Sequence, residues 1–217
     1  MVSSFVNQLM LAYPNTDIRQ MAEFIKDEIQ FDETSPSIGP IGYKSASAIG
    51  HLIDGSIYPD RLPMLRDTKA ACLSALISYS DIIKKWSNCS VAILGISEKR
   101  DQRDIRLSPS LILAERLLAN GVKVKLHDPY FTNKEIAEFF PDAEVISDLS
   151  HPLNIECCVM MTPHRAYRYL NQTELDQLGV TSAKFVIDNV GLWNDFLFSK
   201  DTFYHIPGDG KLGRLEK

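Results

Sequence analysis

Between Gly95 and Pro109 the chain reads GISEKRDQRDIRLSP, with Lys99, Arg100, Arg103 and Arg106 interleaved among Glu98, Asp101 and Asp104. Such a run offers two grips on an anion: a lysine ammonium acts as a point charge, and an arginine guanidinium as a bidentate fork. The apolar run VAIL precedes it and SPSLILAERLLANG follows, so the charges sit at a strand-to-helix junction. A dinucleotide fold carries its Gly-rich phosphate turn there. Here Ile96, Ser97, Glu98 and Lys99 follow Gly95, and no G-x-G-x-x-G is present. Without further glycines the backbone is not expected to approach a pyrophosphate, which argues against a NAD site of the usual kind at this junction. The loop also exceeds the roughly 2–6 residues usual for such connections. The competing reading is a solvated loop whose charges pair with one another, since surface ion pairs are common and weak.

Other residues able to do chemistry are few. His164 stands beside Thr162 at a strand end, where it is either a general base for a nearby ligand or a histidine hydrogen-bonding the loop. His51 and Asp54 lie in an irregular stretch that supplies no nucleophile for a triad. His205 lies near Asp209, with too few neighbours to complete a metal site. Cys72, Cys89, Cys157 and Cys158 form no C-x-x-C pair. Buried, inert thiols in a reducing cytosol are therefore the expectation, with neither disulfide nor metal.

The elements that must position these residues are legible by period. Met10 and Leu9 close a short apolar stripe stopped by Pro14, and Ile18, Met21, Phe24, Ile25 and Ile29 make a second. Residues 31–62 are rich in Gly, Pro, Ser and Asp and nearly aperiodic. From Pro63 a long helix is expected, with Leu65, Cys72, Leu76, Tyr79, Ile83 and Trp86 on one face. After Asn88 strands and helices alternate. Val91–Ile96 reads as a strand buried on both faces. Ser108 is an N-cap with Pro109 at N1, and Asn120-Gly121 closes that helix. VKVKLHD is a strand, TNKE a capping box before a helix, AEVI a short strand and CCVMMT another strand. NQTELDQLG is a helix and KFVIDNV a strand. This order predicts an α/β fold with a parallel, doubly wound sheet over about residues 89–212, preceded by a helical segment. The strand-end groups Gly95–Lys99, His127-Asp128-Pro129, Thr162-Pro163-His164 and Asp188-Asn189 should gather along one edge, which makes His164, Asp128 and Asp188 candidate site-edge residues.

Totals bound the possibilities. The 217 residues carry a net charge of −5, so no global basic field draws nucleic acid. No apolar run reaches the ~20 residues of a membrane span, and the N-terminus has no basic region or cleavage site of a signal peptide.

Read as a pattern, VAILGISEKRDQRDIRLSPSLILAERLLANGVKVKLHDPY resembles the opening of the C-terminal domain of the UDP-glucose/GDP-mannose dehydrogenase family. Gly95, Lys99, Asp104, Arg106, Ser108, Pro109, Asp128 and Pro129 match that pattern in order and spacing. MMTPHRAY resembles the family's strand followed by a His, FVIDNVGLW its Asp-x-Arg-x-x-Trp region, and FYHIPGDGKLGR its terminal Tyr-x-Gly-x-Gly-Arg. More faintly, FVNQL and AIGHLIDGSIYPDRLPML resemble parts of the central helical domain and catalytic segment.

The resemblance implies two parts. Residues 1–88 are a remnant of the central dimerisation domain with an irregular loop at 31–62, and residues 89–217 are a Rossmann-like nucleotide-sugar-binding domain. It implies that Lys99 and Arg106 contact diphosphate or sugar oxygens, that Asp104 orients them, and that Ser108 opens a helix whose N–H groups favour an anion. The family oxidises the sugar C6 alcohol with NAD, held by a separate N-terminal domain, through a thioester on a catalytic Cys. In this alignment Leu52 takes the place of that Cys, Val190 that of an anion-binding Arg, and residues 1–88 leave no room for a NAD domain. The expectation is thus a cytoplasmic, dimeric UDP-sugar-binding homologue, without catalytic residue, metal or NAD of its own and inactive alone. The alternatives are an oligomerising remnant that pairs through Leu65, Leu76, Ile83 and Trp86, a repurposed enzyme, or one subunit of a split dehydrogenase whose partner supplies the NAD domain.

Overall fold

Val91, Ala92, Ile93 and Leu94 alternate in side-chain direction yet are all buried, so the strand they form must be covered on both faces. The computed structural model describes residues 10–20, 63–86, 90–106 and 108–214, with the backbone alone for 63–72. The expectations for residues 21–62, including Leu52, His51 and Asp54, and for the side chains of Leu65, Cys72 and Cys89 lie outside the described residues.

The helix α1 (Pro63–Trp86) precedes strand β1 (Ser90–Leu94). Then come α2 (Pro109–Ala119), β2 (Lys123–His127), α3 (Asn133–Phe139), β3 (Glu144–Val145) and β4 (Cys157–Met160). The helices α4 (Arg165–Arg168) and α5 (Gln172–Leu178) lead to β5 (Phe185–Asp188) and β6 (Phe203–His205). All five strand pairings are parallel, in the order β3-β2-β1-β4-β5-β6. This is the doubly wound order, and the chain reverses its direction of winding between β1 and β4. The connections after those two strands therefore leave to opposite sides of the sheet, the place where such sheets bind ligands.

The local signals act as the sequence anticipates. Ser108 caps α2, its Oγ accepting from Ser110 N at 3.2 Å, with Pro109 in the first turn. Thr132 and Glu135 close a reciprocal capping box on α3, and α5 ends on Gly179 in the left-handed conformation. Two elements have no signal of their own. β6 is a three-residue edge strand reached by turns rather than a helix, and it exists because Phe185 and Val186 offer it partners. The single-turn α4 starts at His164 with no side-chain cap.

Two compact units are distinguishable, Ser80–Ile206 and Met1–Tyr79 with Pro207–Lys217, and the division falls inside α1. In the first of these, one face of the sheet buries Ala92, Leu94, Cys158, Met160 and Val186 against Tyr167, Leu175, Leu178 and Trp193. On the other face Trp86 packs on Phe185 and Phe203, with ring centroids 5.9 and 6.0 Å away. In the other unit Met10 and Ile18 are buried. There Ile18 N donates to Gly208 O at 2.9 Å and Gly213 N to Pro14 O at 3.0 Å, so the glycine-bearing tail lies against residues 13–18. Gly210 is part of that packing: a Cβ there would meet Asp17 N at 2.9 Å.

Candidate functional site

Gly95 ends β1 with φ +90, and a Cβ at that position would stand 2.7 Å from both the Cβ and the carbonyl oxygen of Thr162. Only glycine lets the β1 and β4 ends meet this closely. From there the charged loop leaves the sheet, and its first residues are tied to the end of β2. The buried Asp128 carboxylate accepts from Ile96 N at 2.9 Å, Ser97 N at 2.8 Å and Ser97 Oγ at 2.8 Å, all through Oδ2. Its Oδ1 accepts from Tyr130 N at 2.9 Å. Thr162 Oγ1 donates to Ser97 O at 2.7 Å, fastening the same residue from the β4 side.

His164, fully buried, bridges the strand end to the middle of the loop. Its Nδ1 accepts from Asp101 N at 2.9 Å, so the proton of the neutral ring sits on Nε2, which lies 3.1 Å from Asp128 Oδ2 and donates to it. Asp101 is held in the left-handed region at φ 57. Its Oδ1 accepts from Arg165 N at 2.8 Å and from Tyr130 Oη at 3.2 Å. Deeper in, Tyr167 Oη donates to His127 O at 3.0 Å and lies 2.9 Å from His127 Nδ1.

These contacts set the electrostatics. Burial pushes the Asp128 carboxyl up, but the hydrogen bond from His164 and those from the N–H groups of Tyr130 and Ser97 outweigh it, and the group stays below its usual range. The Arg165 N–H, assisted by Tyr130, holds Asp101 low as well. Burial drives His127 below the ordinary imidazole value against the pull of Asp128.

The sequence-predicted residues fall into three groups. Arg106 forms a bidentate pair with Asp104, Nε to Oδ1 at 3.0 Å and Nη2 to Oδ2 at 3.1 Å, and remains 85 % exposed. Arg103 pairs with Glu135 and covers the Phe131 ring, and Arg100 lies 3.8 Å from Asp101. The self-pairing reading of the loop therefore describes its arginines. Lys99 is exposed and has no ion pair among the described residues. Asp104 holds Arg106, accepting from its backbone N–H as well as its guanidinium. Ser108 is buried and its hydroxyl caps α2.

His164, Asp128 and Asp188 are buried at the strand ends. Asp188 accepts from Gly191 N at 2.9 Å, Trp193 N at 2.7 Å and Tyr204 Oη at 2.7 Å, a turn-holding role. Val190, its second neighbour, is 43 % exposed. The hydrogen-bonding roles of Ser97, Asp101, Tyr130 and Thr162 escaped sequence reasoning, because each acts through a long-range partner that no local spacing reveals. Cys157 and Cys158 are free, fully buried, and pushed above the ordinary thiol range by burial, which disqualifies them as nucleophiles. Among the described residues, no group of three or more His, Cys, Asp or Glu could hold a metal ion, and no helix is long and apolar enough to cross a membrane.

The sheet order, the switch point and the loop anchored there define a Rossmann-like α/β unit, and sheets of this kind bind ligands at the switch point. Residues 92–195 match the model of the UDP-glucose/GDP-mannose dehydrogenase family, UDP binding domain. A UDP-glucose 6-dehydrogenase of Pseudomonas aeruginosa is 38% identical over 66 residues, 30% of this chain and 14% of that protein. A UDP-N-acetyl-D-mannosamine dehydrogenase of Methanococcus aeolicus is 25% identical over 126 residues, 57% of this chain and 27% of the relative. Among solved structures, the NDP-N-acetyl-D-galactosaminuronic acid dehydrogenase of Methanosarcina mazei superposes with TM-score 0.66 at 19% identity, over 97% of this chain and 48% of its own. The UDP-N-acetyl-mannosamine dehydrogenase of Staphylococcus aureus does so with TM-score 0.64 at 19% identity, over 99% and 48%. The chain thus spans about half the length of the solved relatives, and between 14% and 27% of these two curated ones.

Proposed function

We propose that the unit formed by residues 80–206 binds a nucleotide sugar of the UDP type, with Lys99 as the principal cation on its diphosphate. One observation carries the reading: at the switch point of the sheet, on a loop anchored at both ends, Lys99 is exposed and lacks an ion-pair partner among the described residues. The family description of the matched segment supports the choice of ligand. Arg106, already paired with Asp104, acts second, by turning its unused N–H donors or by exchanging partners. The N-terminus of α2 behind Ser108 adds favourable backbone dipoles. Hydride transfer and covalent catalysis are assigned to none of the described residues, since neither described thiol is accessible. The reading attaches the protein to sugar-nucleotide and polysaccharide metabolism.

Calorimetric titration tests it. UDP-glucose is expected to bind, and Lys99→Ala to weaken it about tenfold or more, as loss of a charged hydrogen bond does, with the melting temperature unchanged. Unchanged affinity in that variant overturns the assignment.

A further inference from the structure

Lys99 is the central residue of a short arch whose two feet are both tied to one buried pair. The first foot is Ser97, whose N–H and hydroxyl bind Asp128 Oδ2 and whose carbonyl accepts from Thr162. The second is Asp101, whose N–H binds His164 Nδ1. The feet are joined underneath, since His164 Nε2 donates to Asp128 Oδ2, the oxygen that also holds Ser97. Only Glu98, Lys99 and Arg100 lie between, and Glu98 N is further tied to Asp104 O at 2.7 Å. We propose that the Asp128–His164 pair positions Lys99 for its ligand: the pair touches no ligand atom itself but sets the arch from which the ammonium projects. The proposal rests on the nucleotide-sugar reading above.

The chemistry of the imidazole makes this arrangement conditional. Nδ1 serves the Asp101 foot only as an acceptor, and protonation would set an N–H against the Asp101 N–H, 2.9 Å away. The groups facing the ring are the Asp128 carboxylate at 3.1 Å, the Asp101 carboxylate at 3.9 Å, and the Tyr130 and Tyr167 rings at 5.0 and 5.8 Å. Arg165 stands 3.8 Å from Asp101, and His127 is electrostatically coupled to the ring.

Two substitutions separate the ends of the ring. The His164→Asn oxygen falls near the Nδ1 position and preserves the acceptor for Asp101. The His164→Gln nitrogen falls near Nε2 and preserves the donor to Asp128 but not the Asp101 foot. UDP-glucose is the probe, because its diphosphate diester has no group titrating near neutrality. Its affinity is measured for wild type, Lys99→Ala, both His164 variants and Lys99→Ala/His164→Gln, with thermal unfolding to establish that each is folded. The expected result is that His164→Gln weakens binding about tenfold, that the double variant binds no more weakly than Lys99→Ala, and that His164→Asn stays within about threefold of wild type. If Lys99→Ala weakens binding but His164→Gln does not, or the two losses add, or His164→Asn is as weak as His164→Gln, the positioning role is overturned and the nucleotide-sugar reading stands. If Lys99→Ala is without effect, both fall.

Discussion

Five hydrogen bonds converge on the Asp128 carboxylate, from Ile96, Ser97 twice, Tyr130 and His164. A buried carboxylate so satisfied is stabilising as a unit, and one whose donors are removed is costly. Asp128→Asn keeps the shape but turns one oxygen into a donor facing other donors, so a loss of about 3 kcal/mol is expected by urea denaturation. The pH dependence has a definite sign. The folded-state value lies below the ordinary one, so as pH falls the unfolded carboxyl takes its proton first. The contribution is thus complete above about pH 4 and lost as pH drops through the lower folded value. Asp128→Asn should flatten that acid limb, and a wild-type slope in the variant would exclude Asp128 as its source.

At the scale of elements, the junction of β1 and α2 works because its two ends obey opposite demands. At Gly95 the chain needs positive φ and no Cβ, with Thr162 at 2.7 Å, so Gly95→Ala combines backbone strain with a clash against backbone atoms. A loss of about 3 kcal/mol is expected, with weakened UDP-glucose binding even where the variant is folded, because β1 and β4 are forced apart at the crevice. Ser108 is an ordinary cap by comparison, and Ser108→Ala should cost about 1 kcal/mol in thermal unfolding. These elements were legible beforehand because capping boxes, Pro at N1 and a doubly buried apolar run are local signals. β6 was not, since three residues with an unremarkable pattern become a strand only when β5 offers a free edge.

At the scale of the molecule, the apolar face of α1 bears on the oligomerising alternative. Leu76 and Ile83 are 1% and 0% exposed within the single chain, and Trp86 packs on Phe185 and Phe203, so in this chain these side chains are engaged in its own packing. Ligand binding should instead be visible as stabilisation. UDP-glucose at about a hundred times its Kd adds about 2.7 kcal/mol, a rise of about 5–10 °C in melting temperature for a chain of this size. A scan of the same protein with Lys99→Ala at the same ligand concentration should show a smaller rise. Equal rises would place the ligand away from the loop.

Composition and period alone determined that this is an α/β chain with a parallel sheet, that the charged loop sits at a strand-to-helix junction, and that it lacks a Gly-rich turn. Each follows from neighbours in sequence: an apolar run, a capping serine, the residues after Gly95. Only the tertiary structure decided which charges remain available. Arg106 and Asp104 satisfy each other two residues apart, whereas the anchors of Lys99 come from the ends of two other strands, Asp128 31 residues beyond Ser97 and His164 63 beyond Asp101. Side chains meet across such separations only where parallel strands bring their carboxyl ends to one edge. His164, read from sequence as either a base or a histidine hydrogen-bonding the loop, is buried and hydrogen-bonded to Asp101 and Asp128, and Lys99, one cation among four, has no ion pair among the described residues.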